Sequence, residues 1–103
     1  MAEKKIKPLH PGKILLEEFL LPWGMSQNQL ASLMGVNVSR VNEIVRGRRG
    51  LTGDTALRLA RVTGMSPEFW LGIQNLYDIE TAKDELGDRL EQEVTPAEKV
   101  LSK

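Results

Sequence analysis

Residues 26–47, SQNQLASLMGVNVSRVNEIVRG, decide the fold, because they have the pattern of two short helices joined by a tight turn. Ser26 and Gln29 have the spacing of a capping box, which predicts where the first helix starts. Gly35 supplies the positive φ that ends this helix and permits the turn. Asn37 then offers its side chain as the N-cap of the second helix. The predicted apolar side of the first helix consists of Leu30, Ala31, Leu33 and Met34.

The second helix of this pair has one apolar side and one polar side. At about 100° per residue, its apolar residues share one arc: Val38, Val41, Ile44 and Val45. Its polar residues share the opposite arc, with Arg40 at the border: Ser39, Asn42, Glu43 and Arg46. Polar groups that the core does not need can bond to base edges. The pattern therefore predicts a helix-turn-helix unit, which lays its second helix in a major groove of DNA.

Length and composition narrow the class of protein. A chain of 103 residues is long enough for one domain with one modest core. No cysteine is present, so disulfides and thiolate metal sites are excluded, and the composition fits a reducing cytoplasm. No apolar run reaches the roughly 20 residues that cross a bilayer, and the basic start is not followed by the apolar segment of a secretory signal. We therefore expect a cytoplasmic protein.

The charges are unevenly distributed along the chain, although the formal net charge is zero. Residues 37–65 hold six arginines against Glu43 and Asp54, a net charge of +4. Residues 66–103 hold nine acids against four bases, a net charge of −5. Basic charge on and after the proposed reading helix is the electrostatic footprint of a DNA-binding surface. The acidic last third lowers nonspecific affinity for DNA and favours a basic protein partner.

The order of the motifs predicts three regions. Residues 1–9 form a basic arm, which is either a frayed terminus or a source of phosphate contacts. Those contacts would come from Lys4, Lys5 or Lys7. Residues 10–85 form the helix-turn-helix domain for DNA binding and dimerisation. Residues 86–103 form an acidic tail that is either disordered or ordered against a partner, because its apolar residues are too sparse for a core.

The first helix of the chain is predicted to start at Pro11, where a missing N–H is harmless, and to run to about Leu21. His10, the single histidine, precedes it and is expected to serve the helix start or the surface. A zinc site would have to rely on carboxylates, an unusual ligand set, so neither a metal site nor a cofactor is predicted. The serines are explained as caps or surface groups and no G-x-S-x-G elbow occurs, so no catalytic residue and no enzymatic activity are predicted.

A bent cationic loop, GRRGLTG at residues 47–53, follows the reading helix. Its three glycines let the backbone approach a polyanion, and such a loop contacts phosphates rather than bases. An ordinary solvated loop is the alternative. Thr52 could also cap the next helix, which is predicted from about Asp54 to Thr63.

The last long helix is predicted to begin at Ser66, with Pro67 in its first position and Glu68 favourable to the helix dipole. It carries more apolar bulk than one face needs: Phe69, Trp70, Ile73, Leu76, Tyr77 and Ile79. Most of this bulk is expected in the core. A remainder around Leu71 and Ile79 is predicted to meet a symmetry mate, since helix-turn-helix proteins commonly bind two half-sites as dimers.

The chain resembles the HigA-type antitoxins, the group once labelled virulence-associated protein I, within the phage-repressor-like helix-turn-helix superfamily. The matching stretches are HPG, SQNQLASLMGV, VSRVNEIVRGRRGLT, DTALRLARVTGMSPEFWL and IQNLYD. Together they cover roughly residues 8–82. The segment SPEFWL at residues 66–71 separates this group from generic repressors.

The resemblance implies an all-α, five-helix DNA-binding domain that dimerises and represses its own operon. It also implies a HigB-type toxin as partner, a small basic ribonuclease acting on ribosome-associated messenger RNA. By the superfamily's pattern, DNA contacts fall on Gln27, Asn37, Ser39, Arg40, Asn42, Glu43, Arg46 and Arg49. Val38 departs from the pattern, because many relatives carry a polar residue there, and it can offer only apolar contact.

The candidate DNA-contacting residues divide by role. Base readout is assigned to Asn37, Ser39, Arg40, Asn42 and Glu43. Backbone contacts are assigned to Gln27, Arg46, Arg48, Arg49 and Thr52. Two roles stay open for Glu43: acceptance from cytosine N4, or pairing with Arg40 or Arg46. The pairing role is favoured, because phosphates repel an unpaired acid.

Two other functions stay open beside an autorepressing antitoxin. One is a stand-alone transcriptional repressor, which shares the fold and the DNA chemistry but has no toxin. The other is an interaction module that docks a peptide with the helix pair. A peptide-docking module would lack the steep salt dependence with which DNA-binding proteins bind random duplex.

Overall fold

The computed structural model describes residues 8–101, and every regular element within that range is helical. The first helix, α1, consists of three consecutive segments, Pro11–Ile14, Leu15–Leu20 and Leu21–Trp23. The next four helices are α2 at Gln27–Met34, α3 at Val38–Val45, α4 at Gly53–Thr63 and α5 at Pro67–Leu86. Two short helices follow, α6 at Arg89–Glu93 and α7 at Ala97–Leu101. The predicted all-α, five-helix architecture with a separate C-terminal tail is confirmed.

Helix α1 starts at Pro11 as predicted but runs two residues further than expected, to Trp23. Its middle segment is π-helical, and the Leu21 N–H donates to the carbonyl of Leu16. Pro22 follows at once, and its missing N–H cannot continue the usual hydrogen-bond ladder, so the wider turn lies where the ladder is interrupted. Gly24, at a φ of 62°, then ends the helix.

The caps that the sequence predicts for the helix-turn-helix unit are all present. Ser26 Oγ accepts the Gln29 N–H at 3.0 Å, and Gln29 Oε1 accepts the Ser26 N–H at 2.9 Å. Gly35 has a φ of 69°, which favours glycine, and it closes α2. Asn37 Oδ1 accepts the Ser39 N–H at 2.9 Å and starts α3. These contacts are local, and this is why the sequence alone predicted them.

One core joins the five helices. Its fully buried side chains are Leu15, Leu20, Leu30, Ala31, Met34, Val41, Ile44, Leu51, Ala56, Leu59 and Trp70. Helices α2 and α3 pack together as the helix-turn-helix pair, α4 packs against α2 and α5, and the start of α1 packs against α3. The core therefore holds α3 from its inner side only.

Leu33 and Leu76, which were predicted on apolar sides that face the core, lie on the surface, and so does Ile79, which was predicted to meet a symmetry mate. Leu33 is 60% exposed, Leu76 is 62% exposed and Ile79 is 54% exposed. Leu33 lies about 110° from the centre of the buried arc of α2, and Ile79 lies about 180° from Trp70 around α5. The predictions for Leu33 and Leu76 were wrong because they counted apolar residues without fixing which arc the neighbouring helices cover.

The C-terminal segment after α5 has no buried residue in the part that the structure describes. The predicted domain boundaries at residues 10 and 85 remain predictions, and the phosphate contacts of Lys4, Lys5 and Lys7 lie outside the described residues. Among the described helices, none combines the length and the apolar character needed to span a bilayer.

Candidate nucleic-acid interface

The outer side of α3 is the candidate interface. Val41 and Ile44 are fully buried, and they fix which side of the helix faces away from the core. The residues of the predicted polar arc are exposed or partly exposed: Ser39, Arg40, Asn42, Glu43 and Arg46. Val38 is exposed beside them. The polar arc is therefore accessible and is not packed inside the protomer.

A close helix crossing fixes the position of α3. Gly12, in the first turn of α1, lies directly against the backbone at the end of α3. A Cβ atom on Gly12 would lie 3.0 Å from the Val45 Cα, 2.7 Å from the Ile44 carbonyl carbon and closer still to the Ile44 carbonyl oxygen. Only glycine permits this approach, so the residue sets the depth of α3 relative to α1.

The two helices of the helix-turn-helix unit are also linked on their outer side. Asn42 Nδ2 donates to Gln27 Oε1 at 3.1 Å, which joins the middle of α3 to the start of α2. The sequence placed these two residues in separate roles, Asn42 on bases and Gln27 on a phosphate. The structure brings them into one hydrogen-bonded pair at the edge of the polar arc.

Arg40 is anchored to the start of α4. Its Nη1 donates to Asp54 Oδ1 at 3.1 Å, and Arg58 Nε donates to the same oxygen at 2.8 Å. Arg58 Nη1 in turn donates to the carbonyl of Met34 at 2.9 Å and lies 3.4 Å from the carbonyl of Gly35. The hydrogen bonds from Arg58 and then from Arg40 lower the pKa of Asp54 below its usual value of 3.8. The carboxylate is therefore charged at neutral pH.

Glu43 pairs with a residue of the cationic loop. Glu43 Oε1 lies 2.6 Å from Arg49 Nη2 and accepts from Arg49 Nε at 2.7 Å. The backbone carbonyl of Glu43 also accepts from the N–H groups of Arg48, at 2.8 Å, and Arg49, at 3.2 Å. Glu43 was predicted to pair with Arg40 or Arg46. It does form an ion pair, but its partner is Arg49. The loop turns back over the last turn of α3, and this brings Arg49 closer.

The cationic loop is fastened to α5 by a buried glutamine. Gln74 Oε1 accepts the Leu51 N–H at 2.7 Å, and Gln74 Nε2 donates to Asp78 Oδ1 at 2.9 Å. Gly50 lies so close to this amide that a Cβ atom there would be 3.0 Å from Gln74 Nε2. The loop is therefore a positioned element rather than an ordinary solvated segment.

The other residues predicted to contact DNA or a second protomer differ in their exposure and in the contacts that they make. Arg46 and Arg48 are exposed. Asn37 and Thr52 use their side-chain oxygens as N-caps, Thr52 accepting from the Thr55 N–H at 3.4 Å, so their roles toward DNA remain predictions. Of the two predicted dimer residues, Ile79 is exposed, whereas Leu71 is partly buried against the core. Their place in a dimer also remains a prediction.

His10 caps the start of α1, which is one of the two roles that were predicted for it. Its Nδ1 accepts the Gly12 N–H at 2.9 Å, and its ring meets Tyr77 edge to face at 4.8 Å between centroids. Burial lowers the pKa of His10 below its usual value of 6.5, against the smaller raising effects of Asp78 and the Arg49 backbone. Within residues 8–101, no group of histidine, aspartate and glutamate side chains is arranged to hold a metal ion.

The lowered pKa of His10 predicts a pH dependence of stability. The unfolded chain takes up the proton first, so the free energy of unfolding should fall as the pH drops from about 6.5 toward the folded-state pKa, and level off below it. His10→Asn keeps an acceptor for the cap but does not titrate. We expect urea unfolding at about pH 7.5 and about pH 5 to show a larger loss for the wild type than for this variant. An equal loss in both proteins would contradict the prediction.

Arg58 and Gln74 are members of the site that sequence reasoning missed. The spacing of Asp54 and Arg58, four residues apart on one helix, was a usable signal for an ion pair. Gln74 lies one turn after the buried Trp70, and a polar residue at such a position needs an internal partner. No pattern in the sequence identifies that partner as the Leu51 N–H.

Comparisons with known proteins agree with this architecture. The helix-turn-helix family HTH_3 matches residues 16–70 of the chain. The virulence-associated protein I of Dichelobacter nodosus is 46% identical over 84 residues, which are 82% of this chain and 78% of that protein. The antitoxin HigA-1 of Vibrio cholerae is 39% identical over 79 residues, which are 77% of this chain and 74% of that protein.

A solved structure similar to this chain includes DNA. The antitoxin HigA of Pseudomonas aeruginosa with the higBA promoter superimposes with a TM-score of 0.83 at 40% identity. The match covers 86% of this chain and 97% of that chain.

Proposed function

The chain belongs to the helix-turn-helix family, in the group of the HigA antitoxins and virulence-associated protein I, and from this membership we propose that it is an operator-binding antitoxin that represses its own operon. The observation that carries the proposal is the outer side of α3, where hydrogen bonds hold the side chains of Arg40, Asn42 and Glu43 on the side opposite to the buried Val41 and Ile44. A relative of 40% identity was solved with promoter DNA.

Base readout in this proposal belongs to α3. A helix of this size fits the major groove, where each base pair presents a distinct pattern of donors and acceptors. Ser39, Arg40 and Asn42 supply hydroxyl, guanidinium and amide groups to that pattern. Asn37 lies at the start of the same face. Glu43 acts mainly through Arg49, which it holds at the end of the helix.

Backbone contacts in this proposal frame the reading helix. Gln27 lies at the start of α2, Arg46 ends α3, and Arg48, Arg49 and Thr52 belong to the loop before α4. Such contacts fix register and orientation on the duplex but carry no sequence information. The loop suits this role because Gln74 fixes its position from behind.

The experiment that tests the proposal is a fluorescence titration of the full chain with a duplex from the promoter region of its own gene. A scrambled duplex of equal length is the control. We expect the promoter duplex to bind at least roughly 10³-fold more tightly than the scrambled one near physiological salt. Equal affinity for both duplexes would contradict sequence-specific recognition. The absence of salt-dependent binding to either duplex at low salt would contradict DNA binding altogether.

Arg49→Ala is expected to weaken binding to all duplexes by a similar factor. Because one phosphate contact is lost, the slope of log affinity against log salt should flatten by about one unit. Arg89→Ala is the matched control, since Arg89 forms a similar exposed ion pair, with Glu93 at 3.0 Å, outside the interface. An Arg49→Ala slope equal to that of the wild type would contradict the phosphate role.

Dimerisation belongs to the same proposal. Two half-sites on DNA require two reading helices related by symmetry. Leu76 and Ile79 expose apolar surface on the outer side of α5, and Leu71 flanks the partly buried side of the same helix. Analytical ultracentrifugation of the wild type and of Ile79→Asp tests this, with a monomer expected for the variant.

Neutralisation of a HigB-type toxin completes the proposal. The segment after α5 is exposed and acidic, and charge complementarity favours a small basic protein there. A stand-alone repressor is the competing function, because the DNA face requires no toxin. Co-purification of the proteins encoded by the native operon separates the two, and truncation after Gly87 tests whether the acidic segment holds the toxin.

A further inference from the structure

We infer that Asp54 is a specificity-determining residue of the interface, because it positions the Arg40 guanidinium for base readout without contacting DNA itself. This inference rests on the proposed DNA-binding function. By this inference the start of α4 contributes to sequence recognition, although the base-reading side chains lie on α3.

The Asp54 carboxylate joins two guanidinium groups through one oxygen. Asp54 Oδ1 accepts from Arg40 Nη1 at 3.1 Å and from Arg58 Nε at 2.8 Å. The one oxygen thus links the Arg40 side chain of α3 to the Arg58 side chain of α4. A single exposed ion pair would leave Arg40 a wide choice of rotamers, whereas this three-membered cluster restricts it.

The cluster of Asp54, Arg40 and Arg58 is hydrogen-bonded to the turn of the helix-turn-helix unit. Arg58 Nη1 donates to the Met34 carbonyl at 2.9 Å, and it lies 3.4 Å from the carbonyl of Gly35. These carbonyls belong to the last residue and the C-cap of α2, so they move together with that helix. The position of Asp54 is therefore fixed both by its own helix and, through Arg58, by the turn that orients α3.

Part of the Arg40 guanidinium remains available for DNA. A guanidinium carries five N–H donors, and the contact with Asp54 uses Nη1. The edge formed by Nε and Nη2 stays available for bidentate donation to guanine N7 and O6. The Arg40 side chain is 34% exposed, so it is neither buried nor fully solvated. Arg40 is thus restrained before DNA arrives, and less conformational entropy is lost on binding.

The lowered pKa of Asp54 supports the same geometry, because the carboxylate stays charged wherever the protein would meet DNA. The opposite interpretation is that Asp54 competes with DNA for Arg40. The two interpretations predict opposite changes: loss of positioning relaxes base preference, whereas loss of competition raises affinity.

The experiment is a double-mutant cycle on the full chain with Arg40→Ala, Asp54→Asn and the combined variant. Affinities are measured on the promoter duplex and on a panel of duplexes with single base-pair changes. The base pair at which Arg40→Ala loses discrimination is the one that Arg40 reads. At that base pair, Asp54→Asn should reduce discrimination by about fivefold or more and should have no further effect when Arg40 is already alanine.

Two further variants test whether the effect depends on the charge of Asp54 and on its position beside Arg40. Asp54→Glu keeps the charge and the helix-dipole contribution, so it should retain more discrimination than Asp54→Asn. Glu17→Gln removes the same charge from the exposed Lys13–Glu17 pair on α1, at 3.9 Å, and should leave discrimination unchanged. Thermal unfolding of each variant separates a loss of folding from a loss of positioning.

The outcomes that overturn the inference are distinct from those that overturn the proposed function. An equal effect of Asp54→Asn with and without Arg40 would mean that Asp54 only supports α4. A rise in affinity in Asp54→Asn would mean that it competes with DNA for Arg40. Unchanged base preference in Arg40→Ala would remove Arg40 as a reader, and with it the inference. Failure of the wild type to prefer the promoter duplex would overturn the proposed function itself.

Discussion

Replacing Gly12 with alanine is expected to lower the free energy of unfolding by about 3 kcal/mol and to weaken DNA binding together with it. The added Cβ atom would lie 2.7 Å from the Ile44 carbonyl carbon and 3.0 Å from the Val45 Cα. Both atoms belong to backbone, which cannot rotate away as a flexible side chain can. Relief therefore requires α1 and α3 to separate, and α3 is the helix proposed to read DNA.

Gly53→Ala is the matched control for this prediction. Gly53 also lies in the first turn of a helix, but a Cβ atom there would have no neighbour within 4 Å. We expect the control to be neutral or slightly stabilising, because alanine favours the helix. Urea unfolding at one fixed protein concentration measures both variants. A Gly12→Ala protein as stable as Gly53→Ala would show that α1 does not restrain α3.

Replacing Trp70 with alanine is expected to lower the free energy of unfolding by about 3–5 kcal/mol. Trp70 has no exposed surface, and its ring lies 5.2 Å from Phe19 and 5.1 Å from Phe69 between centroids. Its Nε1 also donates to Thr63 Oγ1 at 3.2 Å. The variant would lose the largest buried side chain and leave a cavity between α1 and α5, so much of a typical domain's stability would be lost.

Trp23→Ala provides the comparison for Trp70, because the chain contains only these two tryptophans. Trp23 is 47% exposed and meets Phe19 edge to face at 5.4 Å. Its loss is expected to lower the free energy of unfolding by roughly 1 kcal/mol or less. Far-UV circular dichroism in urea measures both variants without relying on tryptophan emission. Similar losses in the two variants would contradict the assignment of Trp70 as the centre of the core.

Whether a feature could be predicted from the sequence depends on how far apart in the chain its interacting residues lie. The capping box of Ser26 and Gln29 spans three residues, and the Asn37 cap spans two, so both could be read from the chain. The polar arc of α3 follows from helix periodicity, which is equally local. These features were sufficient to predict the helix-turn-helix unit and the face proposed for DNA.

The partners of the charged side chains could not be predicted in the same way. Glu43 was expected to pair on its own helix, but the loop brings Arg49 to it. Arg40 was named as one of two possible partners of Glu43, but α4 brings Asp54 within 3.1 Å of it instead. The exposed position of Leu76 also depended on how far along α5 the neighbouring helices reach.

Local sequence was thus enough for the caps of the helix-turn-helix pair, the apolar and polar sides of α3 and the basic charge around it, because each depends on residues within about one helical turn. The depth of α3 against Gly12, the shared oxygen of Asp54 and the support of the loop by Gln74 were settled only by packing. Each of these joins residues far apart in the chain, and their meeting depends on the positions of all five helices in one core.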